Sequence, residues 1–134
     1  MELAGVDERE RINRLSRQVI TAAMRVHTAL GPGLLESAYE ACLAYELAQS
    51  GVQVERQKPI PLVYRDVRLD VGYRLDLLVE DAIIVELKTV EEVTPLHSAQ
   101  LLSYLKLAGY KLGLLINFNV TSLRSGIHRV VNGL

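Results

Sequence analysis

Asp76, Glu86 and Lys88 are the residues of this 134-residue chain whose types and spacing best suit chemistry. They lie in Gly72–Lys88, GYRLDLLVEDAIIVELK, which reads as two short strands joined by a tight acidic turn. With Glu80-Asp81-Ala82 as a three-residue loop, Val79 pairs with Ile83 and Asp76 falls opposite Glu86. Period-two alternation then puts Leu75, Leu77, Val79, Ile83, Val85 and Leu87 on one face. Asp76, Glu86 and Lys88 share the other with Arg74, Leu78 and Ile84. Two carboxylates facing each other across a ladder repel unless a cation sits between them. Asp76 and Glu86 offer the hard oxygens that Mg²⁺ or Mn²⁺ prefers, and such a cation keeps room for waters and a phosphate oxygen. The main-chain carbonyl of Leu87 is a further candidate ligand. Lys88 can orient or deprotonate an attacking water, or stabilise charge on the transition state. Such a constellation would suit metal-assisted phosphodiester hydrolysis. The competing reading is a solvated strand face, since acid-x-Lys is common there. The aliphatic flanks weigh against it, because central strands do not normally carry such charges without purpose.

The surrounding elements follow from periodicity. Asp7, with Glu10 three residues on, reads as the N-cap of a first helix. Its apolar stripe is Ile12, Leu15, Val19, Ala23, Val26 and Leu30, and Gly31-Pro32 stops it. The opposite stripe, Arg14, Arg17, Gln18, Thr21 and Arg25, is a solvated face or, alternatively, a phosphate-contacting one. A second helix opens at Gly33 and ends at Gly51, with Leu35, Ala38, Tyr39, Cys42, Leu43 and Leu47 as its apolar stripe and Glu36 beside it. Short strands are expected at 52–56 and 59–64, with a turn near Arg65-Asp66. Pro59 and Pro61 suit an edge. Thr94 caps a third helix that has Pro95 at its first position and runs to Gly109. His97, Gln100 and Tyr104 share one of its stripes. The continuous apolar run 113–118 marks a strand covered on both faces, and 126–131 an added edge strand. Strand, helix and strand at 83–88, 95–109 and 113–118 imply a right-handed parallel crossover, so the sheet is mixed.

Composition narrows the class. The length suits a single domain spanning 1–134. Fifteen basic and sixteen acidic residues leave a net charge of −1, so any basic nucleic-acid surface must be local. The one cysteine, Cys42, cannot form an internal disulfide and reads as a small buried hydrophobe. Neither a signal-peptide core nor an apolar run of membrane-spanning length is present, which implies no membrane partner and a cytoplasmic setting.

Asp76…Glu86-Leu87-Lys88 on a hairpin, after one helix and before another helix and strand, resembles the PD-(D/E)xK nuclease superfamily. Gly33-Leu-Leu-Glu36-Ser-Ala-Tyr39 matches the GxxExxY motif of a family of small, mostly bacterial proteins placed in that superfamily. The similarity runs from about Val26 to Val131, taking in Gly72–Asp76, Gln100-Leu-Leu-Ser-Tyr104 and Leu115-Ile-Asn-Phe118. It implies an α/β, restriction-endonuclease-like αβββαβ core, a central mixed sheet flanked by helices, with an extra N-terminal helix. It also implies a Mg²⁺- or Mn²⁺-dependent nuclease acting on nucleic acid, foremost DNA. By this resemblance Asp76 and Glu86 are metal ligands, Lys88 the catalytic lysine, and Glu36 an acid that meets the metal directly or through water. Gln100 and Tyr104 match the QxxxY motif that positions the DNA strand and the lysine. Tyr39 and His97 are second-shell or packing candidates. Leu75 stands where the superfamily pattern has proline, a tolerated departure. Two-fold pairing would suit cutting both strands of a duplex. The alternative is a non-catalytic module that keeps the fold and binds nucleic acid or protein.

Overall fold

The computed structural model describes residues 4–134, with side chains described from Asp7 onward. Helix α1 spans Ala4–Leu30 and α2 spans Glu36–Gln49. Strands β1 (Val54–Tyr64), β2 (Val67–Val79) and β3 (Ile83–Lys88) follow, then α3 (Pro95–Ala108), β4 (Leu112–Asn117) and, after a 3-10 turn at Leu123–Gly126, β5 (Ile127–Val131). From α2 to β4 this is the αβββαβ core of a restriction-endonuclease-like fold, with α1 as the extra N-terminal helix. The sheet has the order β1-β2-β3-β4-β5, parallel only between β3 and β4, so β3 is its centre. Helices α1 and α2 cover one face, packing Val19, Tyr39, Leu43 and Leu47 over Leu77, Val85 and Ile116. Helix α3 covers the other, packing Leu101 and Leu105 over Leu78, Ile84 and Leu115. All six residues of β4 are buried, as a strand covered on both faces must be.

Local chemistry explains most boundaries. Thr94 caps α3 and Pro95 opens it, and Gly109 ends it in the left-handed region at φ 81°. Arg65 and Asp66 both take positive φ, 48° and 67°, the two-residue turn whose twist matches a hairpin. Pro59 and Pro61 fall on β1, an edge strand, where a missing N–H costs no ladder bond. The three-residue turn after β2 pairs Val79 with Ile83 as expected.

Five expectations are corrected. Helix α1 begins upstream of Asp7, because no proline or turn residue forces a start there; Asp7 instead sits in the first turn, favourable to the helix dipole. Leu30, at the last residue of α1, is exposed rather than part of its stripe. Helix α2 begins at Glu36, not Gly33, because Gly33 holds φ 101°, which is incompatible with a helix; Leu35 is its N-cap and largely exposed. The strands expected at 52–56 and 59–64 are one strand, β1, kinked at Gln57 with φ 52°. Finally, Leu75 does not join the face of Leu77 and Val79, but packs with Leu78 and Ile84 beneath α3. Residues 75 and 78 cannot share a face of a regular strand, so the alternation breaks around Asp76.

Helix α3 lies very close to β4. A Cβ built at Gly113 would come within 2.8 Å of the Leu101 side chain, which is buried and has no room to withdraw. Gly113→Ala should therefore cost about 1–3 kcal/mol by overpacking. Thermal denaturation followed by circular dichroism should show a melting point lower by roughly 3–10 °C.

Candidate active site

The antiparallel ladder between β2 and β3 pairs Leu77 with Val85 and goes no further toward Asp76 and Glu86. The direct Asp76–Glu86 ladder pairing expected from the turn is thus absent, and side chains take its place. The Asp76 N–H donates to Glu86 Oε2 at 2.9 Å, and the Leu87 N–H donates to Asp76 Oδ2 at 2.8 Å. Each carboxylate accepts the amide that a regular ladder would have given to a carbonyl. The strands diverge at this point and the two acids sit in the fork. Glu86 is only 6% exposed, and Asp76 and Lys88 are half-buried.

Burial and crowding act together on these acids. Burial, and then the neighbouring Asp76, push Glu86 up to about 8, against partial relief from the Asp76 amide and Lys88. Burial likewise raises Asp76, opposed by its bond from Leu87. Glu36, the first residue of α2, is raised by desolvation of its carboxyl and then by Asp76, while Lys88 lowers it. Although Glu36 is exposed by overall surface area, the charge of Asp76 reaches it, so α2 brings it to the same place. Tyr104 is 9% exposed and is raised by burial and then by Glu86, so α3 brings it within range of the acids' charge.

Gln100, one turn before Tyr104, is exposed and lines with it a groove of about 500 Å³ between α3 and the β1–β2 hairpin. Tyr73 packs against Tyr104 there, ring centres 5.7 Å apart.

Two candidates are occupied elsewhere. His97 caps its own helix, its Nδ1 accepting the Thr94 N–H at 3.0 Å while its own N–H donates to Thr94 Oγ1. Tyr39 is fully buried and stacked on Phe118 at 4.4 Å. Its hydroxyl donates to the Gly31 carbonyl at 2.5 Å and accepts the Leu34 N–H at 3.1 Å, pinning the loop that leads into Glu36. Tyr39 therefore reaches the site through the backbone before α2.

Glu40 went unremarked as a site residue in the sequence. It is 7% exposed, one turn beyond Glu36, and its charge raises both Glu36 and Asp76. Arg56 Nε donates to it at 3.1 Å and Gln57 Nε2 at 2.6 Å, and Gln57 falls opposite Asp76 in the β1–β2 register. The left-handed kink at Gln57 thus stands between two acids. The i, i+4 relation of Glu36 and Glu40 was the available signal. The strand kink had none. Asn117 is a second such residue: its side chain, buried at the end of β4, bonds both the N–H and the carbonyl of Val90 and so ties down the chain leaving Lys88.

Among the described residues no three Asp, Glu, His or Cys side chains form a ready-made metal cluster. The donor set nevertheless fits a hard divalent cation. Mg²⁺ commonly takes one or two protein carboxylates and fills its remaining positions with water and substrate oxygens. Buried acids that raise one another are also the environment that such a charge relieves.

The sequence profile of the PD-(D/E)XK nuclease superfamily matches residues 13–130. No curated protein and no solved structure matches significantly. The chain belongs to the PD-(D/E)XK nuclease superfamily, whose members are generally nucleases using divalent metals. Among the described residues no helix is long and apolar enough to cross a membrane.

The elevated Glu86 pKa has a defined consequence for stability. Its folded value of about 8 exceeds its ordinary 4.5, so the folded protein binds the extra proton between those values. The stabilisation is complete below about pH 4.5 and is lost as pH rises through 8; Asp76 and Glu36 shift in the same direction. In metal-free buffer, stability should fall between pH 5 and 8 by roughly 2–4 kcal/mol. Glu86→Gln should flatten most of that slope in urea titrations run across the range.

Proposed function

We propose that this protein, as a single nuclease-like domain of the GxxExxY type, is a divalent-metal-dependent nuclease acting on DNA in the cytoplasm. The observation that carries the reading is the fork between β2 and β3, where buried Glu86 and half-buried Asp76 face each other with Lys88 beside them. Asp76 and Glu86 would hold the metal, Mg²⁺ or Mn²⁺, with the Leu87 carbonyl as a further ligand and Glu36 approaching directly or through water. When bound, the cation supplies positive charge that polarises the phosphodiester and acidifies an attacking water. Lys88 orients that water or takes its proton, and neutralises charge gathering on the phosphate. Tyr104 and Gln100 position the strand along the groove they line. Glu40, held by Arg56 and Gln57, adds negative charge near Asp76 from the α2 side. A two-fold homodimer would present two such sites to the strands of a duplex.

A net charge of −1 favours a second reading, a binding module without catalysis that retains the fold. The two separate cleanly. Purified protein with Mg²⁺ or Mn²⁺ should cleave DNA, and Asp76→Ala, Glu86→Ala and Lys88→Ala should each lower the rate at least about 100-fold. Calorimetry should show Mn²⁺ binding to the wild type that Asp76→Ala abolishes. Retained binding with no cleavage across linear, nicked, branched and single-stranded DNA would establish the module instead.

A further inference from the structure

The β1–β2 hairpin runs beyond Ile60 and Tyr73 as an arm ending at the Arg65–Asp66 turn, and its two faces differ in kind. Leu62 pairs with Leu69 and Tyr64 with Val67 beyond a register shift after Ile60–Tyr73, and Leu62 and Tyr73 line one groove, so these residues share a surface. That face is apolar throughout. Arg68 and Arg74, paired with Val63 and Pro59, lie on the opposite one. An amphipathic hairpin normally lays its apolar face on a core, yet Tyr64 is 58% and Val67 53% exposed, and Leu69 and Tyr73 are exposed too.

The same face continues into the groove of about 500 Å³, whose far end is formed by Leu62 and Leu107 with Lys106 at the rim, two turns along α3 from Gln100. A projecting apolar tip and an apolar groove on one surface are the two halves of an isologous contact. The charges match as well, with Asp66 at the tip and Lys106 at the groove. Aromatic side chains bury about 150–250 Å² each, so this half-exposed face offers roughly 300–500 Å² of apolar area per chain. Doubled across a two-fold, that is about the apolar share of a standard-size interface. Arg65 lies over the Tyr64 ring, 5.4 Å from its centre, as a single cation at the arm's tip, too little positive charge to hold a run of phosphates.

We infer that this arm face is the docking surface for a second copy of the same chain. Tyr64 and Val67 of each copy seat in the Leu62–Leu107 end of the other's groove, and Asp66 meets Lys106 across the interface. The Gln100 end is left open. The inference does not depend on nuclease activity.

Sedimentation velocity over a micromolar concentration series tests it. The wild type should be a dimer, and the Tyr64→Lys/Val67→Lys double variant should weaken association more than about 10-fold. Both positions are exposed, so the variant's melting curve at concentrations where both proteins are monomeric should match the wild type's. Asp66→Lys and Lys106→Asp should each weaken the dimer, and combining them should restore it. A wild type that stays monomeric across the series overturns the inference, including one whose arm binds lipid vesicles or another protein instead. A dimer that survives the double variant, or a charge swap that fails to restore association, overturns it equally.

Discussion

The structure depends on a pair of reciprocal hydrogen bonds, from the Asp76 amide to Glu86 and from the Leu87 amide to Asp76. A regular ladder would satisfy these amides with carbonyls and turn the side chains out to either face. Here the carboxylates take the carbonyls' place, which does two things together. It opens the sheet at the end of β3, and it immobilises two acids in the opening. Each bond favours a charged carboxylate, whereas burial disfavours it, and for both residues burial wins. The fork is a place where burial and crowding oppose two negative charges together, with only partial relief from Lys88.

Both covering layers converge on that fork. From the α2 side, the Gly33–Tyr39 segment works as one device. Gly33 takes a conformation at φ 101° that a side chain would strain, Tyr39 reaches back to hold Gly31 and Leu34, and Glu36 is delivered at the first turn of the helix. The helix N-terminus there favours a carboxylate even as neighbouring acids oppose it. Glu40 extends this contact into β1 through Arg56 and Gln57, linking the helix to the strand kink opposite Asp76. From the α3 side, the close approach of Leu101 to Gly113 seats the helix deeply enough for Tyr104 to feel Glu86. Packing far from the acids thereby sets their surroundings.

Much of this was legible in the residue pattern. The turn at Glu80–Ala82 and its Val79–Ile83 pairing, the Thr94-Pro95 start of α3, the edge prolines and the parallel β3–β4 pairing all follow from short-range rules. The departures are as instructive. Leu75 appeared to alternate with Leu77, and His97 appeared to belong with Gln100 and Tyr104. Leu75 changed faces because the strand breaks its period beside Asp76. His97 turned back to cap its helix because it stands three residues after Thr94, where the cap's own N–H needs an acceptor.

What the sequence by itself determined is most of the elements and the identity of the acids and lysine in the fork, because periodicity, turn chemistry and capping act over a few residues. Only the tertiary structure decided that Asp76 and Glu86 bond each other's strands rather than stand across a ladder, and that Glu40 and Gln57 belong to their surroundings. Those outcomes depend on burial and on partners ten or more residues away. A carboxylate's choice between water, a cation and a backbone amide is settled by which of them the folded chain leaves within reach.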